Sequence, residues 1–277
     1  MAGMQLLVTG GSGSLSQVLI RRFTEAGHRA HVVGGQMATH PRVITHRHIT
    51  DVGVDLRTID AVVDLEGPPP TRDVDAAETA LRLDKTRDLL RRTLHAGIPK
   101  IIFVSSVRAA THSHAFTKLK EAQEQIIRQS GVPYLILRAP WIVGPQDLFL
   151  SPLIRTARLN NLLTGSLAHT TIQMVTQADL ADAIVRGLAM RLHVSRAYEI
   201  ASWETCSLQE LVSHLRYCLP LRSSGGDAPL PWPEPMHRLV QEQPVGTPTA
   251  YCLDFARPLA RLPEGLPQIV RGALLGT

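Results

Sequence analysis

The most restrictive feature of the chain is a glycine-rich turn near its beginning, placed between an apolar run and an amphipathic helix. Residues Leu6–Val8 form the apolar run, and the turn Gly10–Gly13 follows almost at once. From Leu15 onward apolar residues recur at helical spacing, until Gly27 stands where a helix commonly ends. A second apolar run, Ala30–Val33, comes next. Strand, glycine turn, helix and strand in this order are typical of dinucleotide-binding folds.

The residue types of this turn suit an anionic ligand. Free N–H groups and the dipole at the start of a helix attract a pyrophosphate, and its close approach requires small or absent side chains. Gly10 and Gly13 meet that need, while Ser16 stands where the Thr-Gly-x-x-Gly-x-x-Gly pattern has its third glycine. We therefore predict nucleotide binding. The alternative is a glycine turn that joins a strand to a helix and binds nothing.

Apolar runs and helical patterns alternate along the first half of the chain. The predicted strands are Gln5–Val8, Ala30–Val33, Val43–Ile44, Ala61–Leu65, Lys100–Ser105 and Tyr134–Leu137, and the clearest helices are Leu15–Ala26, Asp75–Ala96 and Thr117–Ser130. Alternating strands and helices of this kind form a parallel sheet with helices on both faces. The predicted fold class is α/β, a Rossmann-type doubly wound parallel sheet with a small C-terminal substrate-binding region.

The pattern loosens after Gly144-Pro145. Helices are predicted at Ser151–Leu159, Ala178–Met190 and Ser207–Leu219, with a short strand at Tyr198–Ala201, and the proline-rich segment 227–235 is predicted to be an irregular loop or lid. We predict an NAD(P)-binding Rossmann domain at residues 1–145 and a substrate-binding region at 146–277. Segments around 171–200 are expected to return to the Rossmann core.

Composition argues against several classes of partner. The formal net charge of +5 is modest for 277 residues, and no basic patch with interleaved aromatic residues points to nucleic acid. No apolar run of 18 residues predicts a membrane span, and no signal-peptide pattern is seen, so we expect a cytoplasmic protein. Cys206, Cys218 and Cys252 lack metal or disulfide spacing, and the histidine pairs at 46/48 and 112/114 lack further ligands, so we expect no metal site.

Several segments together resemble the extended and atypical short-chain dehydrogenases/reductases, the family of nucleotide-sugar epimerases and related reductases. They are Thr9-Gly10-Gly11-Ser12-Gly13 at the cofactor turn, Asp51-Val52, Leu65-Glu66-Gly67, Phe103-Val104-Ser105-Ser106, Arg138-Ala139-Pro140-Trp141-Ile142-Val143-Gly144-Pro145, and Val175-Thr176-Gln177-Ala178-Asp179-Leu180-Ala181. The resemblance runs from residue 5 to about residue 215.

The resemblance implies a catalytic lysine and serine, but the family's Tyr-x-x-x-Lys is incomplete here. Lys118 is interpreted as the lysine, and His114 stands one turn earlier, where the family has tyrosine. His114 would polarise or position rather than protonate, and His112 is a second candidate; the alternative is that both are polar helix-start or loop residues. Ser106 corresponds to the serine that contacts a substrate carbonyl, with Ser105 as the alternative.

The resemblance also implies a nicotinamide cofactor. Its predicted contacts are Thr9, Gly10, Gly11, Ser12, Gly13, Ser14, Leu15, Asp51, Leu65, Gly67, Lys118 and Pro140. An NAD enzyme usually carries Asp or Glu after the second strand, whereas Val33 is followed here by Gly34, Gly35 and Gln36. NADP (NADPH) is therefore favoured over NAD, and Arg42 or an arginine of the first helix is a candidate for contact with its 2′-phosphate.

The predicted substrate is a flat aromatic ketone. Trp141, Phe149 and Trp203 lie in segments that the family places around its pocket, together with Ser105, and a polycyclic ligand would stack on such rings. Reduction of an aromatic polyketide-type ketone, with the proton from water or from the substrate, is the first hypothesis; triad-deficient angucyclinone ketoreductases are similar in this respect. The alternatives are a non-catalytic NADP-binding redox sensor and an isomerase, epimerase or cyclase. The chain is expected to be a monomer or a homodimer.

Overall fold

A computed structural model gives the fold of the chain. It describes residues 3–35, 40–51, 55–68, 73–107, 114–144, 147, 149–158, 165–190, 195–219, 246–247, 249–255, 267 and 270. The proline-rich segment 227–235, His112 and Gln36, to which predictions were attached, lie outside these residues.

Ten strands form two sheets in the described part of the chain. They are β1 Gln5–Thr9, β2 Arg29–Val33, β3 Val43–His46, β4 Ala61–Asp64, β5 Ile101–Ser106, β6 Tyr134–Ala139, β7 Trp141–Val143, β8 Thr171–Thr176, β9 Arg196–Glu199 and β10 Thr205–Ser207. The main sheet has the order β3-β2-β1-β4-β5-β6-β9, and every strand pair in it is parallel. The strand order reverses between β1 and β4, which opens a crevice at the carboxyl ends of the strands.

Helices cover both faces of the main sheet. The helices whose bounds are described are α1 Ser14–Glu25, α2 Ala76–His95, α3 Ala115–Gln129, α4 Leu150–Arg158, α5 Gln177–Ala189, α6 Leu208–Cys218 and α7 Thr249–Phe255. Alternate strand residues face opposite layers: Leu6 packs in the same apolar cluster as α1 and α5, whereas Leu7 packs with α2 and α3. The predicted doubly wound α/β fold is thereby confirmed.

A second, three-stranded sheet lies beside the first. Its order is β10-β8-β7, with β7 parallel and β10 antiparallel to β8. Helices α4 and α6 pack against it around Leu153, Met174 and Leu211, each almost fully buried. These three strands are not among those predicted from the sequence. Two of them have only three residues, too few to show a periodic pattern.

Candidate active site

The glycine turn fits closely against the end of β4. Gly10 has a φ of +76°, and a Cβ atom there would lie 2.8 Å from the backbone nitrogen of Glu66. At Gly13, the N-cap of α1, a Cβ atom would meet no protein atom within 4 Å, and no side chain caps the helix. The first N–H groups of α1 therefore border open space, which is the arrangement that a phosphate requires.

Ser16, at the position where the family pattern has glycine, is accommodated inside the turn. It is buried, and its hydroxyl lies 2.6 Å from the carbonyl oxygen of Gly11 and 2.7 Å from that of Gly13. The side chain therefore points back into the loop and away from the open space above Gly13. This departure from the family pattern does not obstruct a ligand.

A cavity of about 440 Å³, here called the first cavity, lies beside the turn. Six of the residues predicted to bind a cofactor line it: Gly13, Ser14, Leu15, Leu65, Gly67 and Pro140. Four residues predicted to contact substrate or take part in catalysis, namely Ser105, Ser106, Trp141 and Phe149, also line it. The fold thus brings the glycine turn, the end of β5 and the aromatic residues after β6 to one space.

The lysine of this cavity is Lys120 rather than the predicted Lys118. Side chains two residues apart on a helix point to nearly opposite sides, and α3 packs on the sheet through Thr117, Lys120 and Glu124, all buried. Lys118 is exposed. Lys120 donates hydrogen bonds from Nζ to the carbonyl oxygens of Glu66, at 2.7 Å, and Val104, at 3.0 Å.

Burial lowers the pKa of Lys120 to about 8. Phe116 stands four residues before it and also lines the first cavity. Phe116 and Lys120 therefore have the Tyr-x-x-x-Lys spacing, with an aromatic ring in the tyrosine position but no hydroxyl. His114 and Lys118 have the same spacing in the sequence. The two lysines are distinguished by burial, since Lys120 lies on the buried face of α3 and Lys118 on the exposed face.

His114 is the N-cap of α3. Its ring is buried, and its Nδ1 atom accepts a hydrogen bond from the backbone N–H of Phe116 at 3.2 Å. It is not among the residues that line the first cavity. The position agrees with the helix-start role weighed as the alternative to a catalytic one.

Three residues that line the first cavity each hold a buried polar atom without a partner. Among the described residues, the hydroxyl of Ser105, the indole nitrogen of Trp141 and the carbonyl oxygen of the Gln177 side chain are buried and form no hydrogen bond. Ser106 donates only a long hydrogen bond, 3.3 Å, to the carbonyl oxygen of Val107. Because buried polar groups are normally paired, these atoms favour a ligand that pairs with them.

The far wall of the first cavity is aromatic and carries one carboxyl group. Trp141 and Phe149 stack with their ring centroids 4.5 Å apart. Asp147 accepts hydrogen bonds from the backbone nitrogens of Gly144, Phe149 and Leu150, and burial raises its pKa to about 6. Trp203, predicted to contact substrate, is 56% exposed and is not among the lining residues.

A second cavity, of about 630 Å³, lies on the other side of the turn. Thr9, Gly34 and residues 47–50 line it, and so do Asp64 and Glu66, the chain neighbours of Leu65 in the first cavity. The two cavities thus flank the glycine turn, which suits a ligand of two halves joined by a pyrophosphate. The donors and the open space at the turn fit a dinucleotide.

Two residues predicted to contact the cofactor, Asp51 and Arg42, do not line the second cavity. Asp51 is not among its lining residues, because its carboxylate turns back to accept a hydrogen bond from the backbone nitrogen of His48. Arg42 binds the carbonyl oxygen of Gly27, at the opposite end of β2 from Gly34. Arg47 lines the cavity instead, and no ion-pair partner is found for it in the described ranges.

No protein-family model matches the chain. Among curated proteins, photosystem II assembly factor Ycf39 of Synechocystis is 23% identical over 245 residues, covering 81% of this chain and 69% of its own length. A (4-alkanoyl-5-oxo-2,5-dihydrofuran-3-yl)methyl phosphate reductase of Streptomyces griseus is 26% identical, covering 78% and 75%. Quinone oxidoreductase 2 of Escherichia coli is 24% identical over 142 residues, which covers 51% of this chain and 48% of its own length.

Solved structures match nearly the whole chain. The enzyme WbmG of Bordetella bronchiseptica, in complex with NAD and UDP, has a TM-score of 0.77 at 17% identity, covering 99% of this chain and 96% of its own. The fold is that of the NAD-dependent epimerase/dehydratase-like short-chain dehydrogenases/reductases. The structure of the human epimerase family protein SDR39U1 with NADPH is similar to this chain as well, with a TM-score of 0.76 at 19% identity. The match covers 97% of this chain and 99% of SDR39U1.

Among the described residues, each helix is too short or too polar to cross a bilayer. The glycine turn, the switch point between β1 and β4 and the two cavities coincide at one edge of the sheet.

Proposed function

We propose that the protein is an NADPH-dependent reductase that delivers hydride to a carbonyl group of a flat, largely apolar substrate. The observation that carries the proposal is the first cavity, where the open N-terminus of α1 and an aromatic wall border the same space. A nicotinamide bound there supplies a hydride. The residues of the chain bind and orient both partners.

In this proposal Lys120 takes the place given to Lys118 by the sequence. Its ammonium group is held by the carbonyl oxygens of Glu66 and Val104 beside the first cavity, from which it would bind the ribose hydroxyls of the cofactor. Ser105 and Ser106 lie at the end of β5 and donate hydrogen bonds to the substrate carbonyl. The unpartnered hydroxyl of Ser105 supports this assignment.

The choice of NADPH rests on the second cavity. Gly34 lines it, and positions 34 and 35, directly after β2, carry no acidic residue, although Asp64, Glu66, Asp84 and Asp88 line other parts of the same cavity. Arg47 and the exposed Lys85 line the same cavity, and neither forms an ion pair with another described residue. Arg47 therefore replaces Arg42 as the proposed partner of the 2′-phosphate.

The substrate is proposed to be an aromatic, polycyclic carbonyl compound of the polyketide type. The stacked rings of Trp141 and Phe149 offer a flat apolar wall, and Phe116 adds a third ring to the cavity lining. Two of the relatives described above are named as reductases, one of a quinone and one of an oxo-dihydrofuran. Both names fit reduction of a cyclic carbonyl compound.

Nicotinamide fluorescence tests the proposal. The protein is titrated with NADPH and with NADH, and a panel of polycyclic aromatic carbonyl compounds is then added. We expect tighter binding of NADPH and substrate-dependent oxidation of it. Binding without oxidation across the panel would favour a redox sensor, or an isomerase when a product of unchanged mass forms; no binding would refute nucleotide recognition by the glycine turn.

A further inference from the structure

We infer that the substrate carbonyl is conjugated in the manner of a quinone, so that reduction leaves a stabilised phenolate, and that isolated ketones are poor substrates. This inference rests on the proposed reductase function. It comes from the groups that the first cavity offers, and from one that its lining lacks.

The missing group is a phenolic hydroxyl one turn before the lysine. Phe116 occupies that position, and no tyrosine is among the described residues that line the first cavity. Phenylalanine can neither give nor take a proton. Whatever receives hydride here must do so without a tyrosine that protonates it in the same step.

Two other ionisable groups in the lining are already engaged. Lys120 donates to the backbone carbonyl oxygens of Glu66 and Val104, which hold its ammonium group against the sheet. Both carboxylate oxygens of Asp147 accept backbone N–H groups that lead into α4. These bonds assign the two groups to binding and helix capping, while burial lowers the pKa of Lys120 to about 8 and raises that of Asp147 to about 6.

The two kinds of carbonyl differ in how much they need an acid. Hydride addition to an isolated ketone leaves an alkoxide about as basic as hydroxide, and water has a pKa of about 15.7. Reduction of a quinone leaves a phenolate, whose conjugate acid has a pKa of about 10, as in tyrosine. Hydrogen bonds can hold such an anion until water protonates it. A ketone needs proton transfer during the reaction, which a general acid accelerates by about 10²–10⁴-fold.

The unpartnered donors of the cavity match a quinone. The indole N–H of Trp141 can only donate, and it is buried without an acceptor among the described residues. The hydroxyl of Ser105 is likewise buried and unpaired. A quinone brings two carbonyl oxygens, which are acceptors of the kind that both donors lack, and a flat ring that suits the aromatic lining.

The reaction balances with water as the only further reactant. The C4–H bond of the dihydronicotinamide would break, and its hydrogen would pass with the electron pair to one quinone oxygen. The ring electrons would shift to leave the second oxygen as phenolate, which takes a proton from water. The products would be a hydroquinone, NADP⁺ and hydroxide.

The test compares two bicyclic compounds of similar size under anaerobic conditions: menadione, a quinone, and 2-tetralone, an isolated ketone. With the non-enzymatic rate subtracted, we expect kcat/KM for menadione to exceed that for 2-tetralone by at least about 100-fold. Equal values for the wild-type protein would overturn the inference. Absence of NADPH binding in the same samples would refute the proposed function itself.

A gain of activity gives the sharper result. F116Y places a phenol one turn before Lys120, and we expect it to raise kcat/KM for 2-tetralone by about 100-fold while menadione changes by a few-fold at most. H114Y places a phenol one turn before the exposed Lys118, at a residue that does not line the first cavity, and should not raise 2-tetralone reduction. If H114Y raises it as much as F116Y does, the acid position is not what limits the ketone. The wild-type comparison stands even where a variant fails to fold.

Discussion

Lys118 and Lys120 of α3 are the two candidates for the proposed contact with the cofactor ribose. Lys118 and Lys120 differ by two positions on α3, yet one is exposed and the other is buried against the ends of two strands. We expect K120M to weaken NADPH binding by about 10-fold or more, because hydrogen bonds from a charged group are worth about 1.5–3 kcal/mol. K118M, measured beside it by nicotinamide fluorescence, should bind like the wild type. Equal effects of the two variants would contradict the assignment.

The proposed preference for NADPH over NADH rests on Arg47. Removal of an arginine that pairs with a 2′-phosphate should raise the Kd for NADPH by about 10–100-fold and leave the Kd for NADH within about 3-fold. Arg42 is the matched control, since its guanidinium binds the Gly27 carbonyl at the other end of β2. R47A and R42A are compared by titration with both cofactors. A loss in R42A alone would restore the assignment made from the sequence.

Asp147 makes stability depend on pH. Its pKa rises from 3.8 to about 6 on folding, because burial penalises the carboxylate. The folded state therefore favours the protonated form, and this contribution is present below pH 4 and is lost as pH rises through 6. Relative to D147N, the wild type should lose about 2 kcal/mol of unfolding free energy between pH 4 and pH 7. Urea unfolding at the two pH values measures the change. D75N, at the exposed cap of α2, controls for the general effect of replacing a capping carboxylate.

At the scale of elements, one buried ion pair joins α3 to β6. Arg138 of β6 donates from Nε and Nη2 to the two carboxylate oxygens of Glu124, at 2.8 and 2.6 Å, and Glu124 is completely buried. R138L leaves that charge without its main partner and should lower the free energy of unfolding by about 3–5 kcal/mol. The exposed pair of Arg87 and Asp84 provides the control. R87L should change the free energy of unfolding by less than about 1 kcal/mol. Similar losses in both variants would rule out burial as the cause.

The elements also divide into those that sequence could predict and those it could not. The strands of the main sheet and helices α1, α2 and α3 follow from apolar runs and caps, because each buries a long face of its own. The small sheet depends on pairing between segments as distant as Trp141 and Met174, and Cys206 and Ile172, which no local pattern reports. Lys118 was wrongly favoured for a similar reason, since exposure on a helix depends on what packs against it.

At the scale of the whole molecule, the glycine turn and both cavities lie at one edge of the main sheet, so a bound dinucleotide would contact β1, β2, β4 and α1 together. A ligand that binds only the folded state at 100 times its Kd adds about 2.7 kcal/mol of stability. For a chain of this size we expect NADPH to raise Tm by about 5 °C or more. Differential scanning fluorimetry measures the shift, and NADH at the same concentration should give a smaller one. Equal shifts would contradict the preference for NADPH.

The contact between Gln177 and Ser14 connects the first cavity to the start of α1, where a phosphate of the proposed cofactor would bind. The Gln177 side-chain nitrogen donates to the Ser14 hydroxyl at 2.8 Å, so the first residue of α5 is tied to the first residue of α1. The Ser14 hydroxyl accepts this bond and keeps its own hydrogen to donate, so a phosphate at the start of α1 would bind Ser14 with the contact to Gln177 intact. Thermodynamic linkage makes any coupling through this contact reciprocal: by whatever factor the cofactor changes the affinity for substrate, the substrate changes the affinity for the cofactor.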